Sequence, residues 1–152
     1  MEGRLANILF QTKCEVVEWG MIHIKYKIDK SKMHGVDLFA EENLKKGQIV
    51  YTASPMLDVD ISQKQFDSLD EKEKKEIKYW GFWDEPNNVW HVDFDNSKFI
   101  NHSFSPTLTQ DPKHDDAYLV ATRDVKKGEE LTQNYLEFET EEDLVKRGIP
   151  LK

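Results

Sequence analysis

A single cysteine, Cys14, is the scarcest chemistry in this chain of 152 residues. Alone it can form neither an internal disulfide nor a thiolate zinc cluster. A reducing, intracellular setting is therefore expected, the cytoplasm or, in a eukaryotic cell, the nucleus. Long apolar runs are missing too. With a mean hydropathy of −0.71, the sequence holds no stretch that would serve as a transmembrane helix. The patch Ile8-Leu9-Phe10 is short and soon followed by charges, which argues against a secretory signal. GxGxxG, P-loop and GxSxG sequences are all absent, so dinucleotide-binding, nucleotide-hydrolysing and esterase readings find no support. Positive charge is in deficit, with 21 Lys and Arg against 29 Asp and Glu for a net charge of −8. Nucleic-acid binding through a basic surface is disfavoured. A basic protein or peptide partner suits this charge, and plain solubility explains it as well.

What is present fits one compact domain over residues 1–152. Hydrophobic residues make up 38% and charged residues 33%, enough for a core under a well-solvated surface. No repeat or linker interrupts the chain. Cys14–Gly20 reads as a strand. Met21–Ile28 alternates, with Ile22, Ile24, Tyr26 and Ile28 on one face, and predicts a second, half-buried strand. Val36–Ala40 and Gln48–Ala53 predict strands on either side of a Lys45-Lys46-Gly47 turn. Between Ile61 and Trp80 a broken helical segment is expected, with Ser62/Gln65 and Ser68/Glu71 as capping boxes. Phe66, Leu69, Ile77 and Trp80 share its apolar face. Val89–Phe94 follows as a strand. A last helix is capped by Thr140 with Asp143 and stopped by Gly148 and Pro150. Many short strands and few helices, without alternating βαβ units, indicate a β-rich α+β fold.

Three stretches hold the residues that carry chemistry. His34-Gly35-Val36-Asp37-Leu38-Phe39-Ala40 places a turn before a strand. Asn101-His102-Ser103 follows the apolar run Lys98-Phe99-Ile100 and precedes Pro106. Gly128-Glu129-Glu130-Leu131-Thr132-Gln133-Asn134-Tyr135 ends on an aromatic. Singly, each has a plain structural explanation: a turn glycine, a satisfied histidine in a polar turn, a strand tyrosine. A Ser-His hydrolase is weaker still, since adjacent Ser and His point apart on a strand.

Taken together, in this order and spacing, the segments resemble those of SET-domain protein-lysine methyltransferases, over about residues 31–138. The resemblance implies several short antiparallel sheets, a pseudoknot-like core in which the second and third segments pass through each other, and a few short helices. It implies a variable insert at about 61–94 that shapes the substrate groove. The cofactor implied is S-adenosylmethionine and the substrate a lysine of a protein, histone or other. Val36, Asp37 and Leu38 would contact the cofactor through their main chain, Asn101 and His102 would bind its polar groups, and Tyr135 would be the catalytic tyrosine. Many members carry a cysteine-rich zinc tail. This chain matches the small bacterial and viral type without one, so residues 136–152 would close the site and Phe138 would stack on the adenine. No metal is expected. Tyr79, Trp80, Phe82, Trp83 and Trp90 supply aromatics for a lysine channel, of which one or two are expected to line it. Asp37 stands where the family has its second glycine, a place where a left-handed backbone or a close approach to the cofactor is expected. Phe104, Thr107, Asn134 and Leu136 also depart from the pattern. Asp37, Thr107 and Leu136 keep a second reading open: a SET-fold module that binds a basic partner with little or no turnover.

Overall fold

The computed structural model describes residues 21–151; Cys14 and the strand expected over Cys14–Gly20 lie outside them. In chain order the elements are β1 (Met21–Ile22), β2 (Tyr26–Lys30), β3 (Val36–Ala40), β4 (Ile49–Thr52), β5 (Val59–Ser62), α1 (Gln63–Asp67), α2 (Glu71–Trp80), β6 (Phe82–Asp84) and β7 (Val89–Val92). Then come β8 (Asn101–His102), β9 (Leu108–Gln110), β10 (Tyr118–Ala121), β11 (Thr132–Gln133) and α3 (Glu141–Lys146), with short 3-10 turns at Asn96–Phe99 and Tyr135–Glu137. No helix among the described residues is long and apolar enough to cross a membrane.

Three sheets form: a six-stranded one in the order β1-β4-β10-β9-β11-β8, the pair β2-β3, and the trio β5-β7-β6. Most pairs are antiparallel, but β11 runs parallel to both neighbours, Thr132 opposite Asn101 and Gln133 opposite Leu108. The chain between β8 and β9 therefore crosses from one side of β11 to the other. Thr107 locks the crossing: its N–H donates to Thr132 Oγ1 at 3.1 Å, and the Thr132 N–H donates to Thr107 Oγ1 at 2.9 Å. The departure at Thr107 thus has a structural use. The first segment joins the same knot, since Leu131 N–H donates to Leu38 O at 2.8 Å and Ala40 N–H to Glu129 O at 2.9 Å. Beneath lies one core, with Leu38, Val50, Leu108, Leu131 and Val125 almost fully buried. Truncating such a leucine to alanine costs about 2–5 kcal/mol.

Three local expectations give way to tertiary context. The alternating run Met21–Ile28 is not one strand. β1 pairs with β4 and β2 with β3, and the chain changes sheet at residues 23–25. Ile28 is consequently exposed while Ile24 is in the core. Ile61 lies in a strand, opposite Trp90, not in a helix. Ser62 does cap α1 in a capping box with Gln65. Ser68, however, ends that helix, and the second box is Asp70 with Glu73 at the start of α2. Aspartate there also places a full negative charge at the helix N-terminus, which a serine cannot.

The β5-β7-β6 sheet and the two helices form one unit over residues 59–92. Gly81 fits α2 onto it. A Cβ at this position would stand 2.5 Å from the His91 carbonyl oxygen and 2.9 Å from that of Ile77, closer than any side chain tolerates. At the other end of the chain α3 begins at Thr140, whose hydroxyl accepts from Asp143 N–H as expected. It docks through Leu144, which is fully buried.

Candidate active site

The three segments meet on a single cavity of about 1350 Å³. Val36 comes to it from the start of β3, Asn101 and His102 from β8, and Tyr135 from the turn after β11. Gly35 makes the approach: its φ of +54° turns the chain into β3, and nothing lies within 4 Å of where a Cβ would stand. The left-handed residue of this segment is thus Gly35, whereas Asp37 lies within β3.

Asp37 and Leu38 are fully buried and lie behind the cavity wall. The Asp37 carboxyl accepts from the Leu38 N–H at 2.6 Å and the Asn101 N–H at 3.1 Å. Burial, aided by the neighbouring Glu130 carboxyl, pushes its pKa up to about 8. Glu130 in turn accepts from the Ser31 hydroxyl. The departure from glycine therefore does not put a carboxylate into the cavity. It puts a protonated acid under it, tying the first segment to the second.

Asn101 makes the same tie from its other end, its amide donating to His34 O at 2.8 Å and Val36 O at 3.2 Å. Its Oδ1 remains as an acceptor. Asn101→Ala would release both carbonyls, at a cost of about 1–2 kcal/mol, and loosen the segment that carries Val36. Affinity for S-adenosylmethionine, the cofactor that the sequence resemblance implies, is then expected to fall roughly tenfold or more, the equivalent of about 1.4 kcal/mol. Unchanged affinity by calorimetry in a folded variant would reduce Asn101 to a turn residue.

His102 Nδ1 accepts from the Tyr135 N–H at 3.1 Å, which leaves the proton on Nε2. Burial holds its pKa down, so the ring is neutral, and the Nε2–H is buried with no partner among the described residues. Phe104 packs edge-on against the ring at 4.5 Å. The Tyr135 hydroxyl donates to the Ile100 carbonyl. Burial raises its pKa well above the usual phenol value, despite the nearby Arg147 cation. Tyr135 is therefore a neutral phenol with a fixed hydroxyl.

Tyr79, Trp80, Trp83 and Trp90 all reach the cavity, more than the one or two aromatics expected of the insert. Phe82 and Phe138 do not. Phe138 packs between Phe82, at 4.7 Å, and Tyr135, at 5.3 Å. It packs against the tyrosine and is not among the residues that line the cavity. Sequence reasoning passed over Arg147. Its guanidinium lies 5.3 Å over the Tyr135 ring and is held by both oxygens of buried Glu139 at 2.7 Å. An acid and a base eight residues apart at the two ends of a short helix give no periodic signal. Outside the cavity, Asp58, His91 and Asp93 form a group with metal-ligand geometry. Both ring nitrogens of His91 already face carboxylates, Asp60 at 2.7 Å and Asp93 at 3.4 Å, which hold its pKa up at about 9. His91 thus lies between Asp93 and Asp60, while Asp58 accepts from the main-chain N–H of Ser54 and Phe94.

Small interlocked sheets with a parallel crossing, and a cavity built where the crossing strands meet, define a SET-type architecture. The SET-domain signature matches residues 35–136, and the chain belongs to that family of methyltransferases. Among solved structures, a Chaetomium thermophilum Polycomb Repressive Complex 2 bound to an inhibitor matches with 21% identity and a TM-score of 0.58, over 77% of this chain and 16% of the other. An apo form of the same complex gives 22% identity and a TM-score of 0.60, over 82% and 16%. A Plasmodium falciparum protein provisionally assigned as a histone methyltransferase gives 20% and 0.53, over 75% of this chain and 95% of that one. The chain thus spans about a sixth of the length of the Polycomb chains it matches. No curated protein matches the sequence.

Proposed function

We propose that this chain transfers a methyl group from S-adenosylmethionine to the amine of a lysine side chain in a protein or peptide. The observation that carries the reading is convergence: Val36, Asn101, His102 and Tyr135, from three separate segments, share one cavity with an aromatic wall. Its volume exceeds the ~300–1,000 Å³ of an ordinary single-ligand pocket, leaving room for a cofactor and an incoming side chain.

The residues fit the cofactor. The open backbone at Gly35 offers a cradle without side-chain obstruction, and the unpartnered Nε2–H of His102 is a buried donor awaiting an acceptor. Val36, Asn101 and His102 would hold the group, with Asp37 and Leu38 fixing the strand behind them. When bound, S-adenosylmethionine supplies an electrophilic methyl carbon on a sulfonium. The chain must then present a neutral amine, although free lysine titrates near ~10.4. Trp83 and Trp90 provide an apolar wall that disfavours the ammonium by desolvation. Tyr135 keeps its proton, which it donates in a hydrogen bond to the Ile100 carbonyl, and so is no base. Its oxygen lone pairs remain free to accept weak C–H···O contacts that orient the methyl. Positioning of this kind supplies ~7 kcal/mol or more of a displacement barrier.

Calorimetric titration with S-adenosylmethionine, followed by mass spectrometry of lysine peptides incubated with both, tests the proposal. Absence of cofactor binding would refute it. Binding without any methylated product would point to an interaction module instead. Activity is expected to persist in a metal chelator, because an in-line displacement at a sulfonium needs no Lewis acid. Inactivation by chelation, reversed by added zinc, would overturn that expectation.

A further inference from the structure

The net charge of −8 suggests a basic partner, but the cavity carries the opposite sign. Lys75 and Lys78 from α2, Lys98 from the turn before β8, and Lys146 and Arg147 at the end of α3 all line it. The acidic groups on the lining are Glu139 and Asp143. Glu139 is occupied by Arg147, and Asp143 caps α3 through Thr140. Lys75, Lys78 and Lys98 have no carboxylate within ion-pair distance among the described residues, and Lys146 has only an exposed pairing with Glu142.

One of these cations, Lys98, is held against the aromatic wall, while Lys78 rests on Phe66 outside the cavity lining. Lys98 Nζ sits 5.8 Å over the Trp80 ring and 5.6 Å over Phe99, and Lys78 Nζ sits 5.6 Å over Phe66. Trp80 and Phe99 stand edge to face at 5.6 Å, with Tyr79 packed on Trp80. A lysine entering along this wall would bring its neighbouring residues near Lys75, Lys78 and Lys98, which have no ion-pair partner among the described residues, and Lys146, whose only pairing is exposed. The cofactor does not supply counter-charges, since its ammonium and sulfonium outnumber its one carboxylate.

Resting on the methyl-transfer reading above, we propose that the substrate is a protein segment whose target lysine is flanked by acidic residues, recognised by Lys75, Lys78, Lys98 and Lys146. Complementary charge at the mouth raises encounter rate and discriminates against like-charged partners. Phosphates of a nucleic acid would satisfy the same cations. An aromatic-walled cleft in a chain of this net charge favours the peptide.

The test uses the full chain and synthetic peptides with one central lysine and flanks rich in Asp and Glu, in Ser and Ala, or in Lys and Arg. Binding is read by fluorescence anisotropy and turnover with labelled S-adenosylmethionine. Acidic flanks are expected to bind at least tenfold tighter than basic ones and to give at least tenfold higher kcat/KM. The gap should shrink in high salt, where exposed charges are screened. A Lys75→Glu/Lys78→Glu variant should reduce or invert the preference, read at saturating cofactor against the Ser/Ala peptide as reference. Equal binding of all three sets, preference for basic flanks, or displacement of the acidic peptide by equimolar duplex DNA would overturn the proposal. Selective binding of acidic peptides without methylation of any peptide would support this surface and count against the methyl-transfer reading.

Discussion

Tyr135→Phe is expected to cut methyl transfer by roughly a hundredfold or more, the size of effect seen when one aligned polar group is removed from a reaction centre. The variant should remain folded. The hydroxyl lost donates to the Ile100 carbonyl, and leaving that oxygen unpaired costs about 1–3 kcal/mol. The ring itself stays fixed between Phe138, Arg147 and His102. Cofactor affinity, read by calorimetry, should change far less than turnover, because in the proposed mechanism the phenol orients the methyl. Near-normal kcat in the purified variant would remove Tyr135 from the chemistry. An equal loss of cofactor affinity and rate would make it a binding group only.

A fall in stability from mildly acidic to alkaline pH is the second large effect. The Asp37 carboxyl holds a proton up to about pH 8 in the folded chain, whereas an unfolded aspartate releases it near ~3.9. Between those values the folded state binds the extra proton, so stability declines as pH rises, by up to about 1.4 kcal/mol per pH unit. His91 acts in the same direction. Its pKa is held at about 9 by Asp93 and Asp60, so its contribution is complete below ~6.5 and is lost as pH rises through 9. Urea unfolding at pH 5, 7 and 9 should show a monotonic fall of several kcal/mol. Asp37→Asn should flatten the lower part of that slope and leave the His91 part. Stability that is level or rising between pH 5 and 8 would mean that Asp37 is ionised in the folded protein.

The β-rich fold and the placement of Val36, Asn101, His102 and Tyr135 in one cavity were legible because short motifs carried them. The Ser62 and Thr140 caps were legible because capping is local chemistry, read within three or four residues. What escaped depends on distance in sequence. Alternation in Met21–Ile28 is real, yet the chain leaves one sheet for another at residues 23–25, a choice made by β3 and β4. Asp37 was expected in a strand, but its role there was not legible because its partners, Glu130 and the Asn101 main-chain N–H, arrive from more than sixty residues away. Net charge does not report how charge is distributed. It is a sum over the whole surface, and the cavity concentrates the minority sign.

The crossing at β11 has a further bearing, on the order of folding. Thr132–Gln133 takes its partners from β8 and β9 on either side, and the first segment seals against residues 129–131. Contacts so distant in sequence close late and slowly. Without β11 the β8 strand carrying Asn101 and His102 has no sheet partner among the described residues, and Tyr135 and the Arg147 clamp are not in place. The cavity is therefore complete only once β11 is inserted. Cofactor added during refolding should leave the early rate unchanged and slow the reverse reaction, acting as a latch on the inserted strand.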